Sequence, residues 1–351
     1  MAYTAIDDPE AYFQVQLYTG NGSANHAITL GADTDMQPDL VWIKNRDAAD
    51  SHCAFDAVRG ATELLSPDVD TVETTDADTL DSFTSDGFQV DADVKVNTNT
   101  EDYVAWCWKA GTTSGISVDG NETITPSSYS FNQTSGFSIT AFTGDDASSA
   151  LIPHGLGAVP EFMVVKNRGY AKEWITYHHK MDATAPEDYK IQWQDDSVPY
   201  NHSMFWNDTA PNAYNFSVGS DNSVNDDYAY ITYLWRSVQG FSKFGSYTGN
   251  NNADGPFVYL GFRPAFVICK RTDSASEWSI FDNKRNTYNV VNHHLYTDLA
   301  NAEGDDDDLD FLSNGFKNRR AGNINKAGTY IYMAFAEAPF VNSNGVPCNA
   351  R

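Results

Sequence analysis

The chain has 351 residues, with 22 Lys and Arg against 48 Asp and Glu and so a formal charge of −26. That balance excludes a surface built to grip DNA, RNA or an anionic membrane, because phosphate binding needs clustered cations. No stretch approaches the roughly 18 apolar residues of a membrane-spanning helix, and Met1 to Asp8 has neither the basic nor the apolar segment of a secretory signal. Hydrophobic residues make up 41% of the chain and aromatics 13%, enough for two or three cores at this length. Asp far outnumbers Glu, and Asp, Asn, Gly, Ser and Thr together favour turns over helix. The same acidity suits a saline or halophilic setting, where dense carboxylates hold water and cations.

From the N-terminus onward one pattern occurs three times. Tyr18-Thr19-Gly20 is followed by Leu30-Gly31 and then by Pro38-Asp-Leu-Val-Trp-Ile-Lys44. Phe142-Thr143-Gly144, Leu156-Gly157 and Pro160-Glu-Phe-Met-Val-Val-Lys166 repeat that order, as do Tyr247-Thr248-Gly249, Leu260-Gly261 and Pro264-Ala-Phe-Val-Ile-Cys-Lys270. Eight residues beyond each Lys stands His52, Trp174 or Trp278, and eleven beyond stands Phe55, Tyr177 or Phe281. Every copy ends on an aromatic strand: Tyr103 to Trp108, Tyr230 to Trp235 and Tyr330 to Phe335. The spacing is too long for a solenoid turn and right for a sandwich domain.

The elements are strands. Phe13-Gln-Val-Gln-Leu17 alternates apolar and polar residues, as a half-buried strand does. Leu40 to Ile43, Phe162 to Val165 and Phe266 to Cys269 are short continuous apolar runs that suit strands covered on both faces. Asp86-Gly87 and Asn314-Gly315 between apolar neighbours are tight-turn signals. No 3.6-residue period with caps is present; Lys180 to Lys190 is the one place for a helical turn. The expected fold is all-β, three tandem β-sandwich, jelly-roll-like repeat domains. Their expected limits are 1–111, 135–240 and 241–341, with a Ser/Thr/Gly-rich linker at 112–134 and a C-terminal tail at 342–351. These domains are called units 1, 2 and 3 below.

Repetition tests candidate chemistry, because a catalytic constellation normally occurs once. Lys44, Lys166 and Lys270 occur in every copy and are read as structural, each reaching from a sheet end to a carboxylate. Asp56 with Arg59 and Asp282 with Arg285 share one spacing and one offset from the Lys, which reads as a local ion pair bracing a turn. Unit 2 carries His178 and Met181 there instead. Cys53, Cys107 and Cys269 align with apolar or small residues and read as packing. Asp305, Asp306, Asp308 and Asp310 offer hard oxygen ligands without the spaced EF-hand pattern, so Ca²⁺ or another cation is secondary to a solvated loop. No catalytic residue is expected: there is no GxSxG, HExxH or GxxxxGK[ST]. Trp193, Tyr200, Phe205 and Trp206 lie where unit 2 departs from its siblings and are expected to form a surface contact.

Gly136-Phe-Ser-Ile-Thr-Ala-Phe-Thr-Gly144, His154-Gly-Leu-Gly-Ala-Val-Pro160 and Val164-Val-Lys-Asn-Arg168 resemble a repeat of tail-fibre-like and other virion surface proteins of tailed viruses from marine or saline habitats. So do Phe241 to Gly249, Gly255 to Pro264, Leu312 to Phe316 and Tyr330 to Phe340. The resemblance is close over 135–341 and looser over 12–111. It implies a non-enzymatic virion component, a tail fibre or a capsid turret or decoration, involved in host attachment. It further implies a homo-oligomer, trimeric on a tail or pentameric on a capsid vertex. Its partners would be other virion proteins and a host glycan or protein, without nucleic acid or membrane insertion. A carbohydrate-active depolymerase and a lectin are the competing expectations.

Overall fold

A computed structural model describes residues 2–305 and 309–348. The protein is all-β, as its composition requires; helix is confined to single turns such as Val94–Asn97 and Ser203–Trp206. The Lys180 to Lys190 stretch holds one 3₁₀ turn, Pro186–Asp188, that runs into the strand Tyr189–Gln192.

Each unit builds its principal sheet in the same order. An opening strand (Phe13–Thr19, Phe137–Thr143, Ser242–Gly249) pairs with the closing strand (Asp102–Trp108, Ala229–Trp235, Gly328–Pro339). The closing strand pairs on its other side with the Pro-to-Lys strand (Leu40–Asn45, Phe162–Asn167, Phe262–Arg271). Beyond that lies a return strand (Cys53–Asp56, Ile175–His178, Ser279–Asp282). The registers agree: Lys44 faces Val104, Lys166 faces Ile231 and Lys270 faces Ile331, each one residue after the tyrosine of its closing strand. A smaller antiparallel sheet of two or three strands covers one face, giving each unit two layers.

The other face is not left to solvent. Side chains alternate along a strand, and both faces here are apolar. Trp42, Val164 and Ile268 point into one cluster that also takes Trp106, Trp108, Tyr233, Trp235, Met333 and Phe335. Their neighbours point the other way, into cores private to each unit, as Val41 and Ile43 do in unit 1, Met163 and Val165 in unit 2, and Val267 and Cys269 in unit 3. Rings interlock across units in the shared core: Trp42 to Trp193 at 5.7 Å, Trp193 to Trp278 at 5.0 Å, and Phe13 to Phe335 at 4.9 Å. The units are thus three sheets closed around one common core, rather than independent sandwiches on a string.

The aromatic-Thr-Gly step has a defined role. Its ring stacks on the first tyrosine of the closing strand, Tyr18 on Tyr103, Phe142 on Tyr230 and Tyr247 on Tyr330, at 5.1, 5.2 and 4.9 Å. The glycine then passes a backbone carbonyl so closely that a Cβ would lie 2.1 Å from Thr98 O, 2.1 Å from Asp226 O or 2.2 Å from Lys326 O. The backbone must shift to admit any side chain there. Gly144→Ala is therefore expected to destabilise by about 1–3 kcal/mol, the range of overpacked sites, readable as a lower urea midpoint. An unchanged midpoint would show that the loop yields freely.

The segment 112–134 is not a free linker. Ser128–Asn132 adds an antiparallel strand outside Phe137–Thr143, and Ile124 is buried in the core of unit 2. Unit 2 therefore begins within the stretch assigned to the linker. The C-terminal segment, described to Cys348, folds back through Ser343, which hydrogen-bonds Asp7.

Candidate functional site

The buried chemistry collects at the three seams where one unit meets the next. At the seam of units 1 and 2, Arg59 Nε donates to Asp56 Oδ2 at 2.5 Å, with both side chains fully buried. Arg59 Nη1 also reaches Glu73 at 3.0 Å. Glu73 in turn accepts two hydrogen bonds from Arg168 of unit 2, at 2.6 and 2.8 Å. The Tyr233 hydroxyl of unit 2 donates to Asp56 at 2.7 Å. Burial alone would raise the Glu73 pKa, but the Arg168 and Arg59 guanidinia hold it below the usual range.

The seam of units 3 and 1 repeats this arrangement. Arg285 binds Asp282 at 2.6 Å and Glu303 at 3.1 Å, Arg46 of unit 1 grips Glu303 through two bonds of 2.9 Å, and Trp106 Nε1 donates to Asp282 at 3.2 Å. The Asp–Arg pairs do brace a turn, because Asp56 and Asp282 also accept backbone N–H groups two and three residues on. Their larger role is to clamp units together.

The third seam is built differently. His178 and Met181 stand where the other units have Asp and Arg. His178 Nε2 donates to Tyr332 O of unit 3 at 3.2 Å, while its Nδ1 accepts from Lys180 N at 3.0 Å. His179 Nε2 donates to Phe244 O at 3.1 Å. A ring of backbone contacts completes the closure: Trp174 Nε1 to Val69 O, Trp278 Nε1 to Gln192 O and His52 Nε2 to Leu299 O, at 2.9, 3.0 and 3.2 Å. The residue eight beyond each Lys thus ties its unit to the preceding one.

A family model described as a domain of unknown function, DUF7483, matches residues 8–339, a span that runs through all three units without a break. The chain belongs to the DUF7483 family. Neither the search of curated proteins nor that of solved structures gave a match.

Against this DUF7483 geometry several expected site residues move. Lys44, Lys166 and Lys270 are buried, and among the described residues none forms an ion pair to a carboxylate. Lys44 donates to Asn45 O and Ala48 O, Lys166 to Asp70 O and Lys172 O, and Lys270 to Ser276 O. Loop carbonyls satisfy the ammonium in place of the expected carboxylate, and burial pulls all three pKa values down to about 8. Lys166 and Lys270 also sit over the rings of Trp174 and Trp278, at 5.8 and 5.7 Å.

The surface contact expected at Trp193, Phe205 and Trp206 is overturned. These residues are 5%, 8% and 1% exposed; Trp193 fills the shared core, and Trp206 fills the core of unit 2. Divergence from the sibling units marked a difference in packing, not a surface. Tyr200 alone is exposed, at 54%, and stacks on His202. Trp206 Nε1 donates to Tyr189 O at 2.9 Å, so Trp206→Ala is expected to cost about 3–5 kcal/mol of stability, measured by chemical denaturation.

Of the acidic-loop candidates, Asp306 and Asp308 lie outside the described residues. Asp310 faces Arg319 at 3.4 Å, and among the described residues no three His, Cys, Asp or Glu side chains converge as a metal site. Sequence reading missed three fully buried asparagines, Asn97, Asn225 and Asn325. Each accepts at Oδ1 from the backbone N–H that follows the Thr-Gly step, at Asn21, Asp145 and Asn250. Their signal was there, an Asn five or six residues before the closing-strand tyrosine.

Proposed function

We propose that this DUF7483 chain is a non-enzymatic structural protein of a tailed-virus particle, a fibre-tip or capsid ornament that carries host-contacting loops on a rigid core. One observation carries the reading: the buried ionisable side chains at two seams are spent on joining units, as the Asp56–Arg59–Glu73–Arg168 and Asp282–Arg285–Glu303–Arg46 clamps. Such an arrangement favours a stiff display scaffold over a mobile catalytic cleft. Exposed aromatics at the rim supply contact surface. Tyr170 and Tyr228 stack at 5.8 Å, and Tyr200, Tyr214 and Tyr288 stand free of the cores. Tyrosines in this setting serve neighbouring subunits of a trimer or pentamer, other virion proteins, or a host glycan.

The test is the position of the protein on intact particles. Antibody labelling and mass spectrometry of purified virions should find it at one symmetric location, at a copy number divisible by three or five. Absence from particles would remove the virion reading. Release of reducing sugar from host envelope glycans by the purified chain would replace it with a depolymerase.

A further inference from the structure

The opening strand is an edge strand in units 1 and 3 but not in unit 2. In unit 2 the chain covers that edge itself. Thr123 and Ile124 N–H both donate to Leu151 O of the smaller sheet, and Ser128–Asn132 pairs with the opening strand, Ser130 opposite Ile139. Unit 1 closes its edge with side chains: Gln14 Nε2 donates to Thr34 O, and Gln16 Oε1 accepts from Gly31 N. A gap of only about 200 Å³ remains there.

Unit 3 has no covering strand and keeps one side-chain bond: Lys243, in the register position of Gln14, donates to Tyr259 O at 2.7 Å. Gly245 pairs with Tyr332, two residues past the closing-strand tyrosine, as Gln16 pairs with Ala105 in unit 1. Glycine stands where unit 1 has a glutamine, and the Tyr332 ring lies over it, its hydroxyl 2.5 Å from where a Cβ would be. A groove of about 740 Å³ runs along Ser242–Tyr247. Phe257 and Tyr259, 44% and 49% exposed on one face of their strand, form one wall, with Glu161, His179 and Lys180 of unit 2 opposite.

The backbone of this edge faces outward. At Ser242 and Phe244 the outward groups are already used, by Val238, by Ser237 Oγ and by the His179 ring. Ser246 and Thr248 share that phase of the pleat and are exposed. Lys180 lines the groove on its exposed rim and Lys243 lies against Tyr259 O, with one carboxylate, Glu161, in a chain whose net charge is −26.

We propose that the outer part of this edge, at Ser246 and Thr248, is a strand-addition site that takes an extended, hydroxyl-rich polypeptide segment bearing a carboxylate, supplied by a partner protein. The segment that complements unit 2, Glu122 followed by Thr-Ile-Thr-Pro-Ser-Ser-Tyr-Ser-Phe-Asn132, gives the chemistry of such an occupant. The assignment is independent of the virion reading.

The probe is a synthetic peptide of sequence 122–133 added to the full chain, with amide hydrogen exchange as the readout. Exchange at Ser246 and Thr248 should slow at least about tenfold on binding. Ser246→Pro, which removes one outward N–H and is tolerated only at a free edge, should weaken binding about tenfold, the size of one net hydrogen bond. Lys180→Glu, on the exposed rim, should weaken it without touching the fold. No slowing at millimolar peptide overturns the proposal. So does slowing that appears with protein concentration alone, which marks a second copy, or slowing by a neutral oligosaccharide and not by the peptide, which marks a glycan site.

Discussion

Arg59→Met is expected to destabilise the protein by about 3–5 kcal/mol, because it leaves Asp56 buried without its counter-charge. Both side chains are fully buried, and Asp56 serves two units at once through Arg59 and Tyr233. The double variant Asp56→His/Arg59→Met copies what unit 2 has at His178 and Met181 and should recover much of that loss, since no uncompensated charge remains. Equilibrium unfolding of the two variants decides it. A loss below about 1 kcal/mol for the single variant is the range of an exposed pair and would mean that water reaches the seam. A double variant no better than the single would show that the Tyr233 and Glu73 partners, and not the charge balance, hold the seam.

Acid should loosen the fold well above the carboxylate range. His52, His154 and His178 are each held neutral by burial, with pKa values pulled down to about 3, about 4 and about 3. The hydrogen bonds fix the same tautomer in all three. Nδ1 accepts from Trp42 Nε1, Leu156 N or Lys180 N, and Nε2 donates to Leu299 O, Asn212 O or Tyr332 O. A proton on Nδ1 would destroy an accepting bond in each case. Because the folded pKa lies below the unfolded value near 6.5, the unfolded chain takes up protons first as pH falls. The stability is present above about pH 6.5 and lost on the way toward pH 3–4. Linkage gives about 2 kcal/mol per histidine between pH 7 and 5. Asp298 works in the opposite sense, because burial and the neighbouring Glu277 raise its pKa to about 8, and it offsets part of that loss. The melting temperature is therefore expected to fall between pH 7 and 5, and less steeply in His178→Gln. A flat profile across that window would show that the histidines remain hydrated.

Much was legible without coordinates because it depends on local spacing. The Pro-to-Lys strands, the aromatic-Thr-Gly steps, the Asp-Gly and Asn-Gly turns and the closing aromatic strands all stand where period and residue type put them, since strand alternation and glycine's freedom act within a few residues. The resemblance among Lys44, Lys166 and Lys270 was likewise a matter of register, visible as a constant offset. What those residues touch was not. Whether a buried ammonium meets a carboxylate or a loop carbonyl depends on where loops 46–51, 168–173 and 272–277 close over it, and that is settled by chain path.

The same holds for the aromatics. Trp193 and Trp206 carry no mark in sequence that separates a displayed ring from a buried one, because the apolar demand on both faces of each principal sheet arises only when three sheets meet. Likewise the Asp–Arg pairs read as local from their three-residue spacing, yet Glu73, Glu303, Arg46 and Arg168 reach them from far along the chain or from another unit. Sequence determined the principal strands and the threefold recurrence of their motifs. Tertiary structure alone decided that the three units share one core, because the surface each unit buries against its neighbours is defined by geometry between segments more than a hundred residues apart.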